Sequence, residues 1–201
     1  MKQFTDKREA DTGDEIWLLE HFPVFTQGQS GKSEHILQTS SIPIVRTDRG
    51  GQVTYHGPGQ WITYVLIDLN RKKWNIRTLV TLLENTVIDF LHSYHIPAAA
   101  KREAPGVYCE GKKIASIGLR VRRGCSYHGL AVNMNMDLTP FNDINPCGYA
   151  GLKMTQLADL IDSAALKEKP PELKLVEYLA TKLGYNTCQY TQSEWNNPHG
   201  I

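Results

Sequence analysis

The stretch 61–68, WITYVLID, limits what this chain can fold into more than any other. It is β-branched and aromatic throughout, the composition of a central strand. The longest apolar stretch, 61–69, is far too short to cross a bilayer as a helix. Shortly after it, Ile76, Leu79, Val80, Leu83, Val87 and Leu91 recur every three or four residues. That spacing predicts a helix over Ile76–His92, with Asn75 as its N-cap.

Other strands are predicted around this pair, over 15–20, 42–46, 107–109, 113–121 and 127–134. Turns at Glu110-Gly111-Lys112 and Arg122-Arg123-Gly124 join the last three. A loop is expected over 24–33, a short helix near 155–161, and a final helix over 171–183 with Pro171 in its first turn and Gly184 after its end. Residues 1–13 are polar and read as frayed. Helices interrupting antiparallel-looking strands predict one α+β domain over 1–201, with a mixed, largely antiparallel sheet flanked by helices.

A net charge of +1 argues against nucleic acid as a partner and leaves steering to local patches. Two such patches are Arg71-Lys72-Lys73 and Arg120 with Arg122-Arg123. Solvated turns are their default reading, but beside a ligand site they would suit an acidic partner. Cys109, Cys125, Cys147 and Cys188 form no C-x-x-C pair and read as reduced thiols in a cytoplasmic protein without a signal peptide. His92 and His95 have no further ligands near them in sequence, so no metal is expected.

Cys147 differs from the other three, because it lies between Pro146 and Gly148 in a polar, turn-rich segment. A thiol held on such a loop is a candidate nucleophile. An ordinary thiol has a pKa of about 8.5 and needs a partner to become thiolate at neutral pH. Lys113 is one candidate, since alternation puts it on the face of Ala115, Ile117, Leu119 and Val121. A lysine is costly to keep charged on an apolar face, and it can serve there as general base or as the cation beside a thiolate. The alternative is a Lys113 that snorkels to water and a Cys147 that acts as a small hydrophobe; spacing does not bring the two together. His56 can point at a ligand, whereas His128 reads as a strand histidine with its bonds satisfied. The segment 49–60 holds four glycines but neither a Walker loop nor a G-x-G-x-x-G turn. It suits close backbone approach to a ligand, or a wide hairpin.

The motifs RGGQVTYHGPGQ, GVYCEGKKIASIGLRVRRGCSYHGLAVNMNMDL and PFNDINPCGYAG, in that order, resemble the lipoyl(octanoyl) transferase family. The resemblance runs from the strand at Glu15 to about Leu160. It implies the catalytic-domain fold of biotin and lipoate protein ligases, and transfer of an octanoyl group from octanoyl-acyl carrier protein to a lysine of a lipoyl domain. The acceptors implied are 2-oxoacid dehydrogenase complexes and the glycine cleavage H protein. The family's acyl-thioester cysteine falls on Cys147 and its activating lysine on Lys113.

Its substrate-lining stretches fall on Arg49, Gly50, Gly51 and Gln52, on Val53, Thr54, Tyr55 and His56, on Ser116, Ile117 and Gly118, and on Gly129, Leu130 and Ala131. The small residues Gly118, Gly129 and Ala131 are expected to leave room for an alkyl chain, and backbone N–H groups at Cys147-Gly148 or in the glycine loop to hold the oxyanion. No ATP, metal or other cofactor and no membrane are expected, and a monomer is expected because the cleft must admit two bulky proteins in turn. Family members carry a further strand and most of a helix before the position of Met1, so residues 1–6 read as that helix's tail. The competing activities are an ATP-dependent lipoate–protein ligase, a non-catalytic carrier-binding module and a cysteine hydrolase.

Overall fold

The computed structural model describes residues 1–38, 40–161 and 171–192. A six-stranded antiparallel sheet runs in the order β1 (Glu15–Leu19), β5 (Gln60–Leu66), β9 (Cys125–Asn133), β8 (Lys112–Arg122), β7 (Gly106–Cys109), β6 (Ala99–Ala100). A second sheet of three strands is ordered β3 (Ile44–Arg46), β2 (Val24–Gln27), β4 (Val53–His56), and the β2–β3 pairing is its parallel one. The fold is therefore α+β, with mixed pairing confined to the smaller sheet.

The predicted central strand is β5, paired with β1 and β9 on its two sides. Its Val65 and Leu66 are fully buried, and Val65 joins Leu79, Leu83, Val87 and Leu91 in the main core. Those four side chains belong to α3 (Ile76–His92), which begins where Asn75 Oδ1 accepts the Thr78 N–H at 2.9 Å. The last helix, α4 (Pro171–Lys182), adds Leu175 and Leu179 to the same core. The hairpin turns follow their residues, with Glu110-Gly111 and Arg123-Gly124 all at positive φ, the backbone of tight two-residue turns.

Three regions differ from expectation. The loop expected at 24–33 begins as strand β2, because Phe25 is buried in a second core with Val53, Tyr55, Phe141 and Ile144. The Gly/Ser run that follows this four-residue strand obscures it in the sequence. The helix expected near 155–161 is a single 3₁₀ turn, Leu157–Asp159, seated by Leu157 in the core. Residues 1–13 are not frayed. Lys2–Asp6 is a short helix, α1, and Arg8 is buried against Asp14 at 2.6 Å. A further short helix, α2 (Leu69–Lys72), is capped by Asp68. No helix among the described residues is long and apolar enough to cross a membrane.

Candidate active site

A cavity of about 790 Å³ lies where the small sheet covers β8 and β9. The connection between β3 and β4 folds over β8, where the Gly50 N–H donates to Leu119 O at 3.2 Å. Gly50 makes that contact possible, since a Cβ there would stand 2.8 Å from Leu119 O, and a Cβ on Gly118 would crowd Gly50 O at 3.1 Å. Gly129 is small for a similar reason: its Cβ would meet Thr63 O at 1.9 Å. At Gly118 and Gly129 backbone takes the space that the sequence reading reserves for an alkyl chain, although both residues still line the cavity.

Cys147 sits at the edge of this cavity in the 3₁₀ turn Pro146–Gly148, with φ at 57°. A non-glycine residue in the left-handed region is strained by about 1–2 kcal/mol, a cost that concentrates at functional sites. Its Sγ is hydrogen-bonded to Lys113 Nζ at 3.1 Å, and the same Nζ donates to Pro105 O at 2.9 Å. Lys113 is 1% exposed, which discards the snorkelling alternative.

The chain after Cys147 brings the pair together, because it returns alongside β8. The Lys113 N–H donates to Lys153 O at 2.8 Å, and the Thr155 N–H donates to Lys113 O at 3.0 Å. Strict alternation along β8 does not hold, for the register with β7 shifts so that Ile114 is an extra residue between Lys113 and Ala115. Val121, expected on the apolar face, is exposed. The Gly148 N–H donates to Asn145 O at 2.9 Å and is therefore committed within the turn, so it is no spare oxyanion donor.

Every residue of the expected substrate stretches lines the cavity except Tyr55. Tyr55 points to the opposite face of β4, where its ring meets Phe25 and Phe141. Arg49 spans the cavity wall. Its guanidinium donates to Thr26 Oγ1 at 2.9 Å, Gln52 O at 2.7 Å and Gly50 O at 2.9 Å. Burial lowers its pKa to about 10, against the opposing pull of Cys147.

His56 lines the cavity as well, and hydrogen bonding assigns its tautomer. Gln60 Nε2 donates to Asn133 Oδ1 at 2.9 Å, so Gln60 Oε1 is the acceptor for His56 Nδ1–H at 2.7 Å. His56 Nε2 then accepts from the Thr26 hydroxyl at 3.1 Å. Burial drives its pKa down to about 3, with Arg49 adding to the effect against the Gln60 hydrogen bond, so the ring is neutral. His128 is a strand histidine with a bonded ring, as expected, but it also faces the cavity. It bonds Asp48 at 2.9 Å and stacks on Tyr127, and its backbone is at φ 58°.

The basic clusters are engaged elsewhere. Arg71 pairs with Asp14 at 2.7 Å, Arg122 with Asp6 at 3.0 Å, and Lys72 donates to Leu183 O at 2.6 Å. None of the six clustered cations lines the cavity. Among the described residues, no group of three His, Cys, Asp or Glu side chains is placed to hold a metal ion.

The lipoyl protein ligase A/B catalytic domain matches residues 1–178. The chain belongs to that family. It is 59% identical over 187 residues to an octanoyltransferase of Haemophilus influenzae, covering 92% of this chain and 88% of the relative. To the octanoyltransferase of Vibrio cholerae it is 55% identical over 197 residues, covering 98% and 90%. Among solved structures, lipoate-protein ligase A bound with ATP superposes with a TM-score of 0.75 at 14% identity, over 96% of this chain and 82% of that one. A bipartite lipoate protein ligase from Thermoplasma acidophilum gives 0.75 at 15%, over 96% and 80%. At that identity the likeness concerns fold alone.

The sequence reading missed His21 and Tyr64, which meet at 2.7 Å in the cavity wall. Burial lowers the His21 pKa and raises that of Tyr64 to about 12, keeping both neutral. Tyr64 sits inside an apolar run and His21 in a short connection, so neither carries a local signal. Glu84 was also missed, though a signal existed. It stands four residues after Val80, within the helix's apolar spacing, and is buried.

Proposed function

We propose that this chain is an octanoyltransferase that works through a thioester on Cys147, with Lys113 moving the protons. The observation that carries the proposal is the Lys113 Nζ to Cys147 Sγ hydrogen bond of 3.1 Å, made at the edge of an acyl-sized cavity. The octanoyltransferase relatives supply the acyl group and the reaction class.

In the first step the Cys147 thiol proton passes to Lys113, and the thiolate attacks the octanoyl thioester of acyl carrier protein. A new S–C(acyl) bond forms, the carrier's S–C bond breaks, and Lys113 returns the proton to the leaving thiolate. One thioester replaces another, so the exchange is nearly balanced and proceeds without ATP. In the second step the ε-amine of a lipoyl-domain lysine attacks the Cys147 thioester. The amide forms, the Cys147 S–C bond breaks, and Lys113 carries the amine proton to Sγ. The neutral His21, Tyr64 and His56 let the cavity take an uncharged chain without leaving a bare charge against it. Arg49, Gly50, Gly51, Gln52, Val53, Thr54, His56, Ser116, Ile117, Gly118, Gly129, Leu130 and Ala131 are the proposed substrate-lining residues.

The test is intact-protein mass spectrometry after mixing with octanoyl-acyl carrier protein in the absence of ATP. An octanoyl adduct is expected on the wild type, absent from Cys147→Ala and discharged by a lipoyl domain. A folded wild type that never gains the adduct rules out the covalent route. Octanoate release without acceptor indicates a hydrolase.

A further inference from the structure

The peptide unit joining Pro105 to Gly106 is trans, since the chain has no cis peptide bonds among its described residues, and its two polar groups point in opposite directions. The carbonyl, Pro105 O, accepts from Lys113 Nζ at 2.9 Å. The Gly106 N–H donates to Glu84 Oε1 at 2.9 Å. Glu84 is buried on α3, on an otherwise apolar stripe with Leu83 and Val87. Gly106 has φ at 136°, and a Cβ there would meet Ala115 O at 2.4 Å and Lys113 Cε at 2.5 Å. The peptide is thus wedged against β8 on one face and held by a carboxylate on the other.

We propose that Glu84 is a positioning residue: it holds the Pro105–Gly106 peptide plane at the angle that aims Lys113 Nζ at Cys147 Sγ. A hydrogen bond from N–H to carboxylate also polarises the peptide and makes Pro105 O a stronger acceptor. Without that anchor the plane can rotate, and Lys113 loses one of its two fixed partners. A misplacement of about 1 Å at a reacting pair is enough to cost about 100-fold. The inference builds on the reading of Cys147 and Lys113 as the reacting pair.

The test compares Glu84→Gln with Glu84→Asp. Gln keeps an acceptor oxygen at the same reach without the charge; Asp keeps the charge but withdraws the oxygen by about one C–C bond, about 1.5 Å. The readout is alkylation of Cys147 by iodoacetamide across pH, followed on the Cys147 peptide, together with octanoyl loading from octanoyl-acyl carrier protein. The other titratable groups facing the pair are Arg49 from the glycine loop, Tyr108 from β7, and Tyr149 and His35 beside the Cys147 turn. All are unchanged in both variants.

Positioning predicts that Gln stays within about threefold of wild type. Asp then loses about tenfold or more in the alkylation rate at pH 7, and its pH profile moves to higher pH. If charge alone matters, the order reverses and the proposal fails. It fails also if both folded variants react like wild type, the result of a purely structural role. Alkylation needs no acyl donor, so the expected order in a wild type that never loads octanoate would sink the transferase reading and leave the positioning role standing.

Discussion

Two polar clusters in this molecule, one around Asp14 and one at Cys147, are built to opposite ends. At Asp14 the carboxylate, 4% exposed, accepts from Arg8 at 2.6 Å, Arg71 at 2.7 Å, the Asp68 N–H at 2.8 Å and the Tyr185 hydroxyl. Burial works against that charge. The bonds from Tyr185, Asp68 and Arg71 outweigh it and hold the carboxyl below the usual carboxylate range. At Cys147 the sulfur takes a bond from Lys113, sits on a strained backbone and borders a cavity. The first cluster surrounds its anion with donors and ties the N-terminal segment to β5, α2 and Tyr185. The second leaves its thiol beside a cavity that another molecule can enter. A satisfied cluster stabilises the fold, and an incompletely satisfied one is available for chemistry.

The contrast can be broken from either side. Cys147→Ala is expected to reduce acyl transfer by about 10⁴-fold or more while leaving stability within about 0.5 kcal/mol. Cys147→Gly should be equally inactive and more stable by about 1 kcal/mol, because glycine tolerates positive φ. Transfer assays and urea denaturation of the same preparations check both.

Lys113→Met removes the proposed proton carrier and should slow acyl loading by about 10² to 10⁴-fold. Stability is expected to hold or rise, since an apolar chain of similar length replaces a buried polar one. A large loss of stability would place Lys113 with Asp14 as a structural charge.

Asp14→Ala should do the reverse. It leaves Arg8 buried without its carboxylate and should cost about 3–5 kcal/mol in urea denaturation, with loading per folded molecule unchanged. Asp14 has a lowered pKa in the fold, so its contribution is complete above the unfolded value of about 3.9 and fades as pH falls through the folded one. The stability gap between wild type and Asp14→Asn is therefore expected to narrow in acid below about pH 4.

The smallest effect belongs to His56. With a folded pKa of about 3 against about 6.5 unfolded, the unfolded chain binds the proton first. Stability from this group is whole above pH 6.5 and declines as pH falls, by about 1 kcal/mol between pH 6.5 and 5.5. His56→Gln should flatten that slope in denaturation series across the range.

Much of the fold was legible because it rests on local pattern. The helix Ile76–His92 and its Asn75 cap follow from apolar spacing and one hydrogen bond, and the turns at Gly111 and Gly124 from residues that accept positive φ. Strand β2 was illegible, since four residues before a Gly/Ser run carry too little pattern to stand out. The frayed reading of residues 1–13 failed because a polar segment can be tied down by ion pairs whose partners, Asp14 and Arg71, appear only in space.

The candidate site divides in the same way. The residue types around Cys147 and the motifs along 49–60, 106–138 and 140–151 are properties of the sequence, and they suffice to point to a cysteine acyltransferase. The sequence also placed Lys113 near the start of a strand. Tertiary structure alone decided that Lys113 and Cys147 meet, since 34 positions of chain separate them and the return of Lys153 and Thr155 along β8 closes that distance. It alone turned Tyr55 away from the cavity and His21 and Tyr64 into it. A period of two residues assigns side chains to faces of one strand. Which faces confront each other is set by the pairing of distant segments, and that is a property of the whole packed chain.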